Sequence, residues 1–243
     1  MNIIRNYILV LFICACSLGY CHENSSTNPF HPKDFMIVHR EGYSMAYDGR
    51  TRNAFWVYER LTRESCEIKN ADRKGMRFKS DETIPSVIRA SVDDYRGSGF
   101  DLGHLCPFAD CRSNKNAAAE TFILSNICPQ VPQFNQGHWM RLEMLLREMV
   151  YRYKALHIIT IPLYLPLNGS VIYRTLGNNN VAVPTHFCKV IFAEKEQGIE
   201  TLAYVLPNAV IPNEVSLDSF KTTLEKVERL SGLLFSPPAK RVE

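Results

Sequence analysis

The chain has 243 residues, 46% of them apolar, which is enough for one substantial buried core and short for two independent domains. Its 28 Lys and Arg against 25 Asp and Glu leave a formal charge of +3, which excludes a strongly cationic field over the whole molecule. Any polyanionic partner must therefore be met by a local basic patch.

In chain order, residues 1–21 carry a single early cation, Arg5, then the apolar run Tyr7 to Ile13 and the small residues Ala15 and Ser17. This pattern reads as a secretory signal peptide and implies a periplasmic or extracellular protein. Ile13-Cys14-Ala15-Cys16 is a loose match to a lipoprotein processing site. The run is shorter than the ~20 apolar residues that span a bilayer, so no stable membrane span is expected. A mitochondrial transit peptide would be richer in Arg and amphipathic, and it becomes the alternative if the organism is eukaryotic. Residues 22–34 are polar, with Pro29 and Pro32, and suit a flexible linker. The folded domain is expected over 35–236, with a tail at 237–243. Outside the leader, Cys66, Cys106, Cys111, Cys128 and Cys188 are odd in number and form no CxxC pair. Buried free thiols are the first reading, and a Cys106–Cys111 disulfide in an oxidising compartment is the second.

Residues 54–61, rich in aromatic and β-branched side chains, predict a strand. The charged stretch 63–80 predicts a solvated loop, and its cations Lys69, Arg73, Lys74, Arg77 and Lys79 make it the best phosphate-binding patch. Gly97 and Gly99 mark a turn into a short strand at 100–105, with His104 at its end. A short helix is expected at 115–121, and Pro129 and Pro132 then predict an irregular connection. Over 135–152 the spacing of Trp139, Leu142, Leu146, Met149 and Val150 predicts the longest helix, with Asn135 as its N-cap. Strands follow at 156–162, 185–193 and 201–206. A second helix is expected at 216–230, capped by Ser216 and stopped by Gly232. Strands alternating with a few helices predict an α+β domain around an antiparallel sheet.

Five segments stand out together: Asp101-Leu102-Gly103-His104, Leu124-Ser125-Asn126, Pro129-Gln130, Asn135-Gln136-Gly137-His138-Trp139 and Arg141-Leu142-Glu143. In order and spacing they resemble the DNA/RNA non-specific endonucleases, in the endonuclease G-like branch. The likeness extends over residues 43–235, through Asp94-Tyr95-Arg96-Gly97-Ser98-Gly99-Phe100 and Val181-Ala182-Val183-Pro184-Thr185-His186-Phe187 among others. The resemblance implies a ββα-metal (His-Me finger) nuclease fold with a central antiparallel sheet flanked by helices. It also implies a homodimer and hydrolysis of DNA and RNA without sequence preference. The cofactor would be Mg²⁺, with Mn²⁺ as a substitute, and the products would carry 5′-phosphates.

Phosphodiester hydrolysis needs a base to activate water, a divalent cation and cationic donors nearby. His104, beside Gly103 at a strand end, is the candidate base, because an unperturbed imidazole titrates near ~6.5. An isolated histidine is more often a structural one, and here the surrounding motif decides. By resemblance Asn135 is the metal-binding asparagine. A neutral oxygen suffices for Mg²⁺, which keeps several waters. Asp101 and Glu143 are expected to support these two, and Asn126 to tie the crossover loop. Glu143 stands two turns, roughly 12 Å, below Asn135, too far to share a first coordination shell on a straight helix. Its plainer reading is a surface glutamate beside Arg147. His138 and His186 are read as satisfied core histidines.

The family motif ordinarily reads Asp-Arg-Gly-His, and this chain has Leu102 in place of the arginine. Arg73, Arg77, Arg89 and Arg96 are the candidate substrate-binding residues that would make up for it, with Arg112 a further one. The alternative is a nucleic-acid-binding protein on a nuclease scaffold with weakened catalysis. A second departure, Ile161 where the family has glycine, is expected to affect packing alone.

Overall fold

The computed structural model of this chain describes residues 36–235. The expected leader, linker and C-terminal tail lie outside the described residues. The strands are β1 (Met36–His39), β2 (Tyr43–Asp48), β3 (Asn53–Leu61), β4 (Asp101–His104), β5 (Ile127–Gln130), β6 (Ala155–Leu163), β7 (Thr175–Leu176), β8 (Val181–Ala182), β9 (His186–Glu194), β10 (Ile199–Pro207) and β11 (Lys221–Thr222). The helices are α1 (Arg63–Glu67), α2 (Val92–Tyr95), α3 (Lys115–Glu120), α4 (Pro132–Phe134), α5 (Met140–Met149) and α6 (Leu224–Ser231).

Seven strands form one sheet in the order β1-β2-β3-β6-β9-β10-β11, with neighbours antiparallel throughout. The predicted strands at 54–61, 156–162, 185–193 and 201–206 are β3, β6, β9 and β10. β6 and β9 read as nearly continuous apolar runs because both of their faces are covered, which removes the polar half of the usual alternation. On one face Val57, Leu156, Ile158, Phe187 and Ile191 pack against Trp139 and against Leu142 and Leu146 of α5. On the other, Ile161, Cys188, Val190 and Ala203 pack with Val227 of α6. Ile161 is fully buried there, so the departure from the family glycine is absorbed in the packing of this second core. Among the described residues no helix is long and apolar enough to cross a membrane.

Two predicted helices have different bounds. The long helix begins at Pro132 of α4, where proline fits the first helical position because its missing N–H is not needed. It continues through a π turn at Asn135–Trp139, kinked at Gly137, into α5. Asn135 is therefore inside the helical segment and not its N-cap: its backbone N–H donates to Val131 O at 2.9 Å. Likewise, Ser216 caps only a 3-10 turn at Leu217–Phe220. β11 then pairs with Ala203 and Tyr204 of β10, and Thr223 caps α6. The free edge of β10 interrupts what the local pattern reads as one helix. Gly232, at φ +71°, ends α6 in the left-handed conformation that glycine adopts most easily, as expected.

Candidate active site

β4 and β5 form a two-stranded ribbon beside the large sheet, and α4, the π turn and α5 follow it directly. In the crossover between the two strands, Asn126 accepts a hydrogen bond from Cys106 N at 2.9 Å and donates to Cys106 O and Thr121 O. This is the tie expected of it. A Cβ on Gly103 would lie 2.1 Å from Oε1 of Gln130, so only glycine leaves room for that amide. Gln130 is fully buried, and neither its Oε1 nor its Nε2 has a hydrogen-bond partner among the described residues. The sequence places Gln130 in the motif without a role. A buried amide with nothing to bind is visible only once the ribbon is folded.

The expected site residues fall into three groups. In the first, Asp101 Oδ2 accepts from Asn135 Nδ2 at 2.9 Å and from Gln136 Nε2 at 2.8 Å. The Asn135 amide is thereby oriented with its nitrogen toward Asp101, which leaves Oδ1 as an oxygen donor. Among the described residues no three His, Cys, Asp or Glu side chains are grouped to hold a metal. The donor set thus suits a cation that rests on Asn135 and otherwise on water or substrate oxygens, as Mg²⁺ does.

The second group surrounds His104. Strand alternation turns its ring, with the Leu102 side chain, to the side of the ribbon opposite Asp101. The ring lies 5.5 Å from Phe78 and 5.1 Å, edge-on, from Phe122. The Arg73 guanidinium lies 5.6 Å from the Phe122 ring centre. Burial, and secondarily Arg73, push the His104 imidazole down to about 3. Its Nε2 is buried and has no hydrogen-bond partner among the described residues. No hydrogen bond or ring contact joins His104 to Asn135 among the described residues.

The third group is a set of buried charges at the sheet end of α5. Glu143 belongs here, and burial lifts its carboxyl to about 7. Glu143 is half-buried and feels the charge of Arg147, whose guanidinium donates its hydrogen bond to Asp110 Oδ1 at 2.8 Å. Lys189, Glu59 and Asp110 complete the group.

Of the candidate substrate arginines, Arg73 shares the Phe122 ring with His104, while Arg77 is exposed on the same loop. Arg89 is paired with Glu82 at 2.6 Å and Arg96 with Asp93 at 2.7 Å, so neither is held toward His104. Arg112 lies over the Phe108 ring. Leu102 packs in an apolar cluster with Tyr95, Leu124 and Ile127. His138 is buried with Nε2 2.8 Å from Val215 O, the satisfied core histidine expected, whereas His186 is only half-buried at the start of β9, with Nδ1 3.0 Å from Thr185 Oγ1. Among the described residues Cys66, Cys106, Cys111, Cys128 and Cys188 form no disulfide, and Cys106 and Cys111 touch with Sγ–Sγ at 3.5 Å.

A two-stranded ribbon ending in histidine, followed by a helix that carries an asparagine, defines a ββα-metal nuclease fold. A crystal structure of an EndoG/EndoGI complex superimposes with a TM-score of 0.80 at 39% identity, covering 84% of this chain and 87% of that one. The DNA/RNA non-specific endonuclease family matches residues 27–241. Human mitochondrial endonuclease G is 43% identical over 204 residues, which covers 82% of this chain and 68% of the relative. The mitochondrial nuclease of Saccharomyces cerevisiae is 41% identical over 222 residues, covering 84% of this chain and 68% of the relative. The chain belongs to the DNA/RNA non-specific endonuclease family, in its endonuclease G-like branch, and is thus a hydrolase of phosphodiester bonds.

Proposed function

We propose that this chain cuts DNA and RNA without sequence preference, with His104 taking a proton from the attacking water, Asn135 holding a divalent cation, and Arg73 supplying the charge that Leu102 lacks. The observation that carries the reading is that Arg73 lies over the same Phe122 ring that His104 meets edge-on, while His104 Nε2 has no hydrogen-bond partner among the described residues. An incoming phosphate has a guanidinium to meet, and the imidazole has a lone pair to offer. Leu102 can do neither, since it has no polar atom. When bound, the cation, Mg²⁺ or Mn²⁺, supplies Lewis acidity at the phosphate and at the leaving 3′-oxygen. Asp101 serves by fixing which way the Asn135 amide faces. Glu143 supports from the half-buried face of α5, beside Arg147, Asp110 and Lys189. Contacts to phosphate and sugar carry little base information, which accounts for the lack of sequence preference. Products carry 5′-phosphates.

Digestion of plasmid DNA and total RNA by the purified chain with Mg²⁺ tests this reading, run beside EDTA, His104→Ala, Asn135→Ala and Leu102→Arg. The wild type should cut, EDTA should stop it, and His104→Ala should lose on the order of 10²- to 10⁴-fold in rate. Undiminished cutting by His104→Ala overturns the assignment of the base. A wild type that shifts DNA in a gel without cutting, with activity appearing only in Leu102→Arg, makes the chain a binding protein on this scaffold.

The human and yeast relatives bear mitochondrial names, and none of these relatives is named as exported. We therefore assign this chain to the mitochondrion in preference to the periplasm or cell exterior. Residues 1–34 fused to a fluorescent protein should reach mitochondria in a eukaryotic cell, and secretion of the fusion would reverse the assignment.

A further inference from the structure

Lys189 lies on β9 with its side chain 1% exposed. It shares a sheet face with Thr160, its register partner on β6, and with Glu59 on β3. A buried ammonium needs compensation for its lost water, and here the compensating groups lead back to the active-site ribbon. Lys189 Nζ donates to Thr160 Oγ1 at 2.7 Å and to the carbonyl oxygen of Leu105 at 3.3 Å. It also lies 5.0 Å from the ring centre of Trp139. Trp139 in turn donates its Nε1 to the carbonyl oxygen of His104 at 3.5 Å. The two carbonyls at the exit of β4 are thus held from the sheet side by one ammonium and the indole it rests on.

These contacts fall at the end of the ribbon, just before the Cys106 backbone that the Asn126 side chain holds. His104 is the last residue of β4, opposite Ile127, and beyond it a single backbone bond from Leu105 N to Asn126 O continues the pairing. The ordinary explanation for a buried lysine is charge balance, and Glu59 is the obvious counterion. Its Oε1, however, stands 3.8 Å from Nζ and makes no hydrogen bond. Burial also lifts the Glu59 carboxyl to about 8. The hydrogen bonds of Lys189 go to Thr160 and to the His104 strand end.

We infer that Lys189 is a positioning residue for the reaction: by holding the Leu105 carbonyl and backing Trp139, it fixes the strand end from which His104 reaches the substrate. The inference rests on His104 being the base. Displacements of about 1 Å at a reacting group cost about 10²-fold in rate, which sets the expected scale.

The test uses the full chain carrying Lys189→Met, Lys189→Arg, Glu59→Gln and the double variant Glu59→Gln/Lys189→Met, with His104→Ala as control. kcat and KM are measured on a duplex DNA of fixed length, and melting temperature on the same samples. Lys189→Met should lower kcat about 10²-fold with KM little changed. The double variant removes the ammonium together with the carboxyl that would be left buried without it, and should recover melting temperature without recovering kcat. Lys189→Arg, which keeps a donor, should retain more kcat than Lys189→Met. Should Lys189→Met fail to fold, the double variant carries the test. Recovery of kcat together with stability in the double variant reduces Lys189 to a counterion and overturns the proposal, as does a wild-type kcat in Lys189→Met. Wild-type cutting by His104→Ala would instead remove the base assignment itself, an outcome separate from the other two.

Discussion

At His104 the fold opposes the protonated ring in two ways. Burial removes the water that would solvate an imidazolium, and Arg73 faces the ring with like charge, which together hold it at about 3. So weak a base gains proton affinity when a negative charge arrives, and a phosphate drawn to Arg73 is such a charge. Arg73→Met removes the smaller of the two causes, so His104 should hold its proton to higher pH. The acid limb of the kcat/KM profile should then move to higher pH, while the plateau falls on the order of 10²- to 10³-fold for loss of the phosphate contact. Paired pH–rate profiles measure both effects, and an unmoved acid limb would show that Arg73 does not act on His104. At this scale the sequence marks His104, Asp101 and Asn135, because the motif keeps them in a fixed order. Arg73 is legible only as one cation among five in its loop, since no periodicity ties it to a strand that follows much later. Gln130 is marked only as part of the motif, without a role, and Lys189 carries no mark at all. Lys189 reads as one charge in an apolar strand, and its bond to Leu105 spans 84 positions of the chain.

Among the elements, legibility follows how local the cause is. β3, β6, β9 and β10 are written in runs of β-branched and aromatic residues, and the burial of Trp139, Leu142, Leu146 and Val150 follows the predicted helical spacing. The start of that helix is not legible in the same way. Asparagine is a good N-cap type and proline suggests a break, so the sequence favours Asn135 over Pro132 as the first residue. The difference matters chemically, because a capping Asn135 would turn its side-chain oxygen to the helix's own backbone. Set inside the segment, the same side chain is available to Asp101, and its oxygen is left for a cation. α6 shows the converse case, in which a local helical pattern is cut short because β11 completes the edge of β10. β1 and β2 escape the sequence reading altogether. β1 has only four residues and alternates between half-buried and exposed positions, too little pattern to separate from a loop.

Glu59, Asp110 and Lys189 are buried together on the side of the sheet that packs against α5, with half-buried Glu143 beside them, and the raised carboxyls among them should shape stability against pH. Burial lifts Glu59 from its ordinary 4.5 to about 8 and Glu143 to about 7. The folded chain therefore keeps protons that the unfolded chain has released, and stability from these groups is present below pH 4.5 and lost as pH rises through 8. His104 has the opposite sign. Lowered from 6.5 to about 3, it contributes stability that is present above pH 6.5 and lost as pH falls toward 3. Melting temperature should consequently decline on both sides of an intermediate pH, for different reasons. Glu59→Gln takes one raised carboxyl out of the balance, so between pH 5 and pH 8.5 it should lose less melting temperature than the wild type, with the acid side unchanged. His104→Gln should do the reverse, flattening the acid side alone. Thermal melts of the three proteins across that range decide the matter: curves that run parallel to the wild type at every pH would mean that these buried groups titrate alike in the folded and unfolded chain, and that the charge cluster is set by packing alone.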